Sequence, residues 1–264
     1  MHPNLERFSG FADLYDRHRP RPPQILRDLL LAVAGTDHPD LVVDLGSGTG
    51  LSTRLWAPVA RRTVGVEPNQ DMRAVARSFP ADGSVEYLPT RSDQTGLEAG
   101  SADIVTCSQS FHWMEPLPTL NEAARVLRAG GVFAAYDCDW PPTTGSWVAE
   151  KAYGECIDRV RQWEERSDAD SRVTAWPKER HLDRIRECGR FRYAKEVAVH
   201  HVETGNADRF IGLLLTQGSV QSLLKAGRVE DEIGLTRFRE TVERAMGAGP
   251  RQWYWTYRVR IGVV

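Results

Sequence analysis

Cysteine is scarce in this 264-residue chain: Cys107, Cys138, Cys156 and Cys188 are all there is, and no two of them form a CxxC pair. Neither a zinc site nor a disulfide scaffold is indicated. A surplus of one charge is missing too, because 34 Lys and Arg stand against 36 Asp and Glu, a net charge of −2. No basic excess is at hand to neutralise a phosphate backbone, so nucleic acid is not expected as a partner. No apolar run reaches the ~20 residues of a membrane helix, so no membrane association is expected. The opening MHPNLERFSG lacks the basic start, apolar stretch and small-residue cleavage site of a secretory signal, which predicts a cytoplasmic address. Internal repeats and low-complexity tracts are absent. What is present, 41% hydrophobic and 27% charged residues, is the make-up of an ordinary globular chain.

Between residues 37 and 140 short apolar runs alternate with amphipathic segments, the pattern of βαβ units around a parallel sheet. Strands are predicted at 41–46, 62–67, 84–88, 102–108 and 131–139, without the period-2 polarity of a half-solvated sheet, as suits strands covered by helices on both faces. Helices are predicted at 51–56, 70–78 and 117–127, with Gly130 of RAGG as the C-cap of the last. Phe8, Phe11, Leu14 and Tyr15 make a short amphipathic piece that RPRPP halts. Beyond Trp140 a tryptophan-bearing, charged stretch over 146–187 reads as two or three helices. Strands follow at 191–203 and 251–264, rich in aromatic and β-branched residues, with helices at 207–215, 220–226 and 230–246 between them. His200 and His201 are adjacent on a predicted strand and point to opposite faces, so no shared metal is expected, and no other ligand cluster exists.

The most informative segment is VVDLGSGTGLST at 42–53. An apolar strand ends at Asp44, and Gly46, Gly48 and Gly50 follow at alternate positions. Glycines there allow positive φ and a close approach of ligand to backbone. A helix beginning near Leu51 would face the ligand with its free N–H groups. The dinucleotide fingerprint is GxGxxG, whereas this turn is GxGxG with an acidic residue just before it. A carboxylate is awkward beside a pyrophosphate and suits a ligand bearing an ammonium group, which favours S-adenosylmethionine over NAD. Glu67, at the end of the second strand and about twenty residues beyond Gly46, is placed to accept hydrogen bonds from both ribose hydroxyls of an adenosine.

VVDLGSGTG, GVEPNQDM, SADIVTCSQSFHWM and NEAARVLRAGG together resemble the class I S-adenosylmethionine-dependent methyltransferases, within the methyltransferase type 11 group and the small-molecule branch similar to trans-aconitate methyltransferase. The resemblance runs over nearly the whole chain. It implies an α/β, Rossmann-like, seven-stranded and mostly parallel sheet flanked by helices, with the last strand antiparallel and a helical lid. On that basis 1–264 reads as one domain: N-terminal cap helices at 1–36, a cofactor-binding core at 37–140, lid and substrate elements at 141–190 and 204–250, and closing strands at 191–203 and 251–264. It implies that Gly46, Ser47 and Gly48 line the methionine and ribose of the cofactor, with Asp44 toward its amino group and Glu67 on the ribose diol. Pro68 and Met72 would border the adenine, Ser92 and Asp93 its amino edge, and Ser108 and Gln109 the methionine part. Tyr15 and Arg19 would close over the cofactor, with Arg19 available to its carboxylate. TRSD at 90–93 departs from the GDAE or GSAE that relatives often carry.

The expected reaction is methyl transfer to a small organic molecule, at oxygen or carbon, aligned by proximity. His112 of FHWM is the candidate base for acceptors that must lose a proton, with pocket shaping as its other possible role. Trp113, Trp140 and Gln217 are candidate substrate contacts, and Trp147, Trp163 and Trp176 add aromatic surface to the lid region. Two rival readings stay open: a member that binds the cofactor without methylating, such as a pericyclase or an interaction module, and an NAD(P)-dependent oxidoreductase. The oligomeric state is not legible.

Overall fold

Apolar runs become a seven-stranded sheet in the computed structural model, which describes residues 7–80, 84–166 and 174–264. The strands are β1 (Leu41–Leu45), β2 (Arg62–Val66), β3 (Val85–Leu88), β4 (Ala102–Ser108), β5 (Leu127–Cys138), β6 (Tyr193–Gly205) and β7 (Arg251–Val263). Their order is β3-β2-β1-β4-β5-β7-β6. Pairings from β3 to β5 are parallel, while β7 runs antiparallel to β5, with Val132 opposite Val263 and Cys138 opposite Tyr257. This is the sheet implied above, with the antiparallel strand inserted between β5 and β6. The α-helices are α1 (Ala12–His18), α2 (Gln24–Ala34), α3 (Thr53–Trp56), α4 (Gln70–Ser78), α5 (Pro116–Val126), α6 (Trp147–Glu165), α7 (His181–Glu187), α8 (Ala207–Leu215), α9 (Gly218–Lys225) and α10 (Leu235–Met246). Among the described residues no helix is long and apolar enough to cross a membrane.

The chain divides into two compact units. One comprises Arg21–Cys138, Thr174–Val199 and Tyr257–Val264. Its core joins Val43, Leu45, Val64, Val66, Val105, Phe111, Phe133 and Phe191, each nearly inaccessible to solvent. Full burial of such a side chain is worth about 1.5–3 kcal/mol. Strand order reverses between β1 and β4, so the loops leaving their carboxyl ends part to opposite sides and leave a crevice, where open α/β sheets bind ligands. The other unit comprises Met1–Pro20, Asp139–Val173 and His200–Thr256. Tyr153, Phe210, Phe238 and Trp253 form its aromatic centre, with ring centroids 5.6 Å apart for Tyr153 and Phe210 and 5.8 Å for Phe210 and Trp253. α1 packs against α8 there, close enough that any side chain at Gly212 would run into the His18 imidazole.

Two local expectations are corrected. Gly130 does not cap a helix: α5 stops at Val126, Leu127 N–H bonds back to the Ala123 carbonyl, and the chain passes straight into β5. The RAGG segment is claimed by the sheet, with Leu127 in register with Ala102 and Gly130 N–H donating to the Val264 carbonyl at 3.1 Å. The helix expected from Leu51 is the four-residue α3. A single turn carries little of a macrodipole, so donors at this end of the sheet come from the glycine turn itself.

Candidate functional site

The turn after β1 is held to its neighbour strand by backbone alone. Gly46 and Ser47 both donate to the Val66 carbonyl, at 2.8 and 3.1 Å. Gly46 (φ +66°) must lack a side chain, because a Cβ would lie 2.6 Å from Met114 Cε and 2.7 Å from Ser110 Cβ. Gly48 (φ +55°) is different: a Cβ there would meet nothing within 4 Å, so its backbone faces open space. Ser47 Oγ and Thr49 Oγ1 are buried polar atoms without a hydrogen-bond partner among the described residues. A turn with an open backbone face and orphaned hydroxyls fits a ligand better than a plain βα connection, in which such groups are normally satisfied.

Two carboxylates flank this turn. Glu67, 8% exposed, accepts from the Gly48 N–H at 3.0 Å and the Asn69 N–H at 2.8 Å. Burial pushes its carboxyl above the usual range, against the pull of those two bonds and of Arg73. Asp44 lies behind the turn with no solvent exposure, accepting from Thr53 Oγ1 at 2.8 Å and Thr106 Oγ1 at 3.0 Å. Neutral hydroxyls compensate a buried charge poorly, and burial pushes Asp44 up to about 6. Ser52, beside it, bonds the Tyr136 hydroxyl at 2.5 Å.

Across the crevice, β4 ends at Ser108, in register with Tyr136. Gln109 is the non-glycine residue with positive φ (53°) among the described residues. That conformation costs roughly 1–3 kcal/mol and is held by its N–H bond to the Tyr136 carbonyl (2.8 Å) and by Nε2 to Cys138 Sγ (2.6 Å). Ser110 Oγ then reaches the Leu45 carbonyl at 2.7 Å, which ties this loop to the end of β1. Phe111–Trp113 form a 3-10 turn; Phe111 is core, His112 is 8% exposed and Trp113 is half-buried with its ring centroid 4.4 Å from the imidazole.

His112 opens onto a group of charges that sequence reasoning missed. Its Nδ1 lies 3.6 Å from Asp137 Oδ1. Lys178 Nζ sits 2.8 Å from the same oxygen, and Arg260 Nη1 lies 3.1 Å from Asp137 Oδ2. Arg260 Nε in turn pairs with Glu196 Oε2 at 2.6 Å. Burial alone pushes the Asp137 carboxyl up, but Lys178 and His112 outweigh it and hold the group below the usual carboxylate range. These residues come from β5, the Lys178–Arg180 turn, β7 and β6, so no local spacing could announce them. Asn69 was missed too, although PNQDM carried a signal: its side chain caps α4 by accepting from Met72 N–H at 3.1 Å.

The remaining sequence candidates fall in three places. Pro68 and Met72 follow Glu67, Met72 being buried on α4. Ser92 and Asp93 are turned to other partners, Ser92 Oγ to Thr119 Oγ1 at 3.0 Å and Asp93 to Arg91 at 3.0 Å. Tyr15, Arg19, Trp140 and Gln217 form a cluster within the second unit. The Arg19 guanidinium stacks on Tyr15 (4.8 Å) and Trp140 (4.6 Å) while bonding Thr216 Oγ1 at 2.9 Å, the Thr216 carbonyl at 2.6 Å and Gln217 Oε1 at 3.3 Å. Gln217 Nε2 donates to the Tyr153 hydroxyl at 2.7 Å. Trp147 is 73% exposed, Trp163 stacks under Arg228, and Trp176 lies under Arg184. No group of three or more His, Cys, Asp or Glu residues arranged to hold a metal is found among the described residues.

Residues 43–135 match the family described as Methyltransferase domain. The uncharacterized methyltransferase Rv3342 of Mycobacterium tuberculosis is 35% identical over 124 residues, 47% of this chain and 49% of that protein. The chain spans about half the length of the curated relatives it matches first. The solved structure of a proposed type II methyltransferase from Anaeromyxobacter dehalogenans superposes with a TM-score of 0.65 at 25% identity, covering 93% of this chain and 97% of that one. YcgJ from Bacillus subtilis shares the fold, with a TM-score of 0.54 at 17% identity over 89% of this chain and 96% of that one.

Proposed function

We propose that the chain, whose residues 43–135 match the family described as Methyltransferase domain and whose fold is shared with a solved methyltransferase-type structure, uses S-adenosylmethionine to methylate a small organic molecule at oxygen or carbon. The observation that carries the reading is the pairing, on one turn, of an open Gly48 backbone with the Glu67 carboxylate 3.0 Å from its N–H. A carboxylate already poised to accept two hydrogen bonds, here from Gly48 and Asn69, suits two vicinal ribose hydroxyls. Ser47 Oγ, buried and unpartnered, is a further polar contact for the same ligand.

In this reading Gly46, Ser47 and Gly48 line the methionine and ribose, Pro68 and Met72 border the adenine with Ser92 and Asp93 near its edge, and Ser108 and Gln109 approach the methionine part. Asp44 supplies negative charge behind the turn, on the side where an ammonium group would bind. Trp113 serves the acceptor. Bound cofactor supplies a methyl group made electrophilic by the sulfonium. The protein's part is alignment and exclusion of water, worth about 7–11 kcal/mol in favourable cases. Where the acceptor must lose a proton, His112 takes it. The address is cytoplasmic.

Calorimetric titration tests the reading: S-adenosylmethionine and S-adenosylhomocysteine should bind, and NAD should not. Binding of NAD alone would overturn it. With binding established, labelled methyl transfer to a panel of phenols, carboxylic acids and acidic carbons should release S-adenosylhomocysteine. Tight binding with no release across the panel would favour a non-methylating member instead.

A further inference from the structure

Asp137 Oδ1 has two suitors. His112 Nδ1 approaches it to 3.6 Å and Lys178 Nζ to 2.8 Å, while the other carboxylate oxygen is taken by Arg260 at 3.1 Å. Asp137 is 5% exposed and the Lys178 side chain 30%, so the shared oxygen is nearly out of water and its choice of partner carries weight. The two rivals are also tied together: Trp176 N–H donates to the His112 carbonyl at 2.8 Å, which pins the segment carrying Lys178 to the turn carrying the imidazole.

We propose that Asp137 is a positioning residue for His112, and that Lys178, by competing for the same carboxylate oxygen, sets how strongly Asp137 acts on the imidazole. The proposal deepens the reading that His112 accepts the acceptor's proton and rests on it for its catalytic meaning. In this arrangement Nδ1 carries a proton toward Asp137, which leaves Nε2 as the atom that receives the proton from the acceptor. The imidazolium so formed is stabilised by Asp137 and gives its proton to solvent after product leaves. Lys178 and Arg260 oppose that stabilisation from the 3-10 turn and β7, while Glu196 on β6 offsets Arg260 and Arg184 on α7 is turned to His181 and the Pro177 carbonyl. His181 on α7 is fully buried, and burial pushes it down to about 4.

The signs separate this arrangement from mere packing. Asp137→Asn removes a negative charge beside the imidazole and should move the titration of His112 to lower pH. Lys178→Met removes a positive charge, frees Oδ1 for Nδ1–H and should move it to higher pH. Each shift should be roughly one pH unit or more, as expected of a charge within about 4–6 Å in a poorly hydrated site. The experiment is an NMR titration of the His112 Cε1–H resonance, assigned by its loss in His112→Gln, in the full chain without cofactor. Opposite shifts in the two variants support the proposal. An unmoved midpoint in Asp137→Asn, or shifts of the same sign, overturns it. Should Asp137→Asn fail to fold, Lys178→Met alone decides, an unmoved or lowered midpoint being the overturning result. Methyl-transfer rates then separate the two layers. An acidic limb of the pH–rate profile that follows the NMR midpoints across the variants supports the positioning role in catalysis. A limb that stays fixed while the midpoints move overturns the proton-accepting role of His112, and failure of S-adenosylmethionine to bind overturns the functional reading while leaving the titration result intact.

Discussion

Two aspartates sit out of water in the same parallel sheet, Asp44 on β1 and Asp137 on β5, and burial acts on them alike. Asp44 has only hydroxyl donors around it and is pushed up to about 6. Asp137 has Lys178 and Arg260 within 3.1 Å and is held below the usual range. The difference shows what each region is built for. Around Asp137 the charges are already balanced inside the protein, as a rigid network requires. Around Asp44 the negative charge is left without a cation, so a cationic ligand would complete it. The turn is thus a place of stored electrostatic demand, whereas the charges of the β5–β7 cluster are paired in sign within the protein, beside an imidazole that is 8% exposed.

The comparison can be broken first at Arg260, 4% exposed and joined to Asp137 and Glu196. Arg260→Leu leaves Asp137 with Lys178 as its cation and Glu196 with the longer Arg258 contact at 3.9 Å, and the expected loss is about 3 kcal/mol, the low end for breaking a buried pair, in a denaturant titration at neutral pH. A loss below about 1 kcal/mol would mean that Lys178 and water compensate on their own. Asp44→Asn should act in the opposite direction. The carboxyl moves from 3.8 when unfolded to about 6 when folded, so the native chain holds the extra proton between those values and loses stability as pH rises through them. Above pH 6 that loss is complete, on the order of 3 kcal/mol. Denaturant midpoints measured from pH 4 to pH 8 should fall in the parent relative to Asp44→Asn, and a variant less stable than the parent at pH 8 would refute the electrostatic reading.

Smaller effects sharpen the ligand side. Glu67→Ala should weaken S-adenosylmethionine binding by roughly 10- to 100-fold, since hydrogen bonds to a charged group are worth about 1.5–3 kcal/mol. Unchanged affinity by calorimetry would place the ribose elsewhere. Ser47→Ala removes a buried hydroxyl that has no partner in the protein, so the free chain should keep or slightly gain stability while cofactor affinity drops by a few fold, about 0.5–1.5 kcal/mol. A destabilised free protein with unaltered affinity would assign the hydroxyl to packing.

Much of the sheet was legible because its signal is local. The runs at β1, β2 and β4 are apolar and bounded by turn residues, and α4 and α8 match the periodic segments at 70–78 and 207–215. Glycines at 46, 48 and 50 declared the turn through their spacing, and all three adopt positive φ. Gly130 misled because RAGG after a helix looks like a cap, whereas the sheet claims its hydrogen bonds through Val264, at the far end of the chain. Ser92 and Asp93 were named by resemblance alone, at a TRSD segment that departs from the relatives' motif, and the structure adds only that their side chains pair with Thr119 and Arg91. Lys178, Glu196 and Arg260 were invisible because each reads alone as a surface charge: strand pairing brings Arg260 to Asp137, Glu196 joins through Arg260, and Lys178 arrives from a turn distant in sequence.

The sequence by itself determined the alternation of strand and helix, the glycine turn and the carboxylate that follows the second strand, because these depend on side-chain period, on φ freedom and on residues close along the chain. The tertiary structure alone decided which of two buried aspartates carries compensated charge and which does not. That depends on the sign of the groups that distant segments bring within a few ångströms, and a linear pattern does not record it.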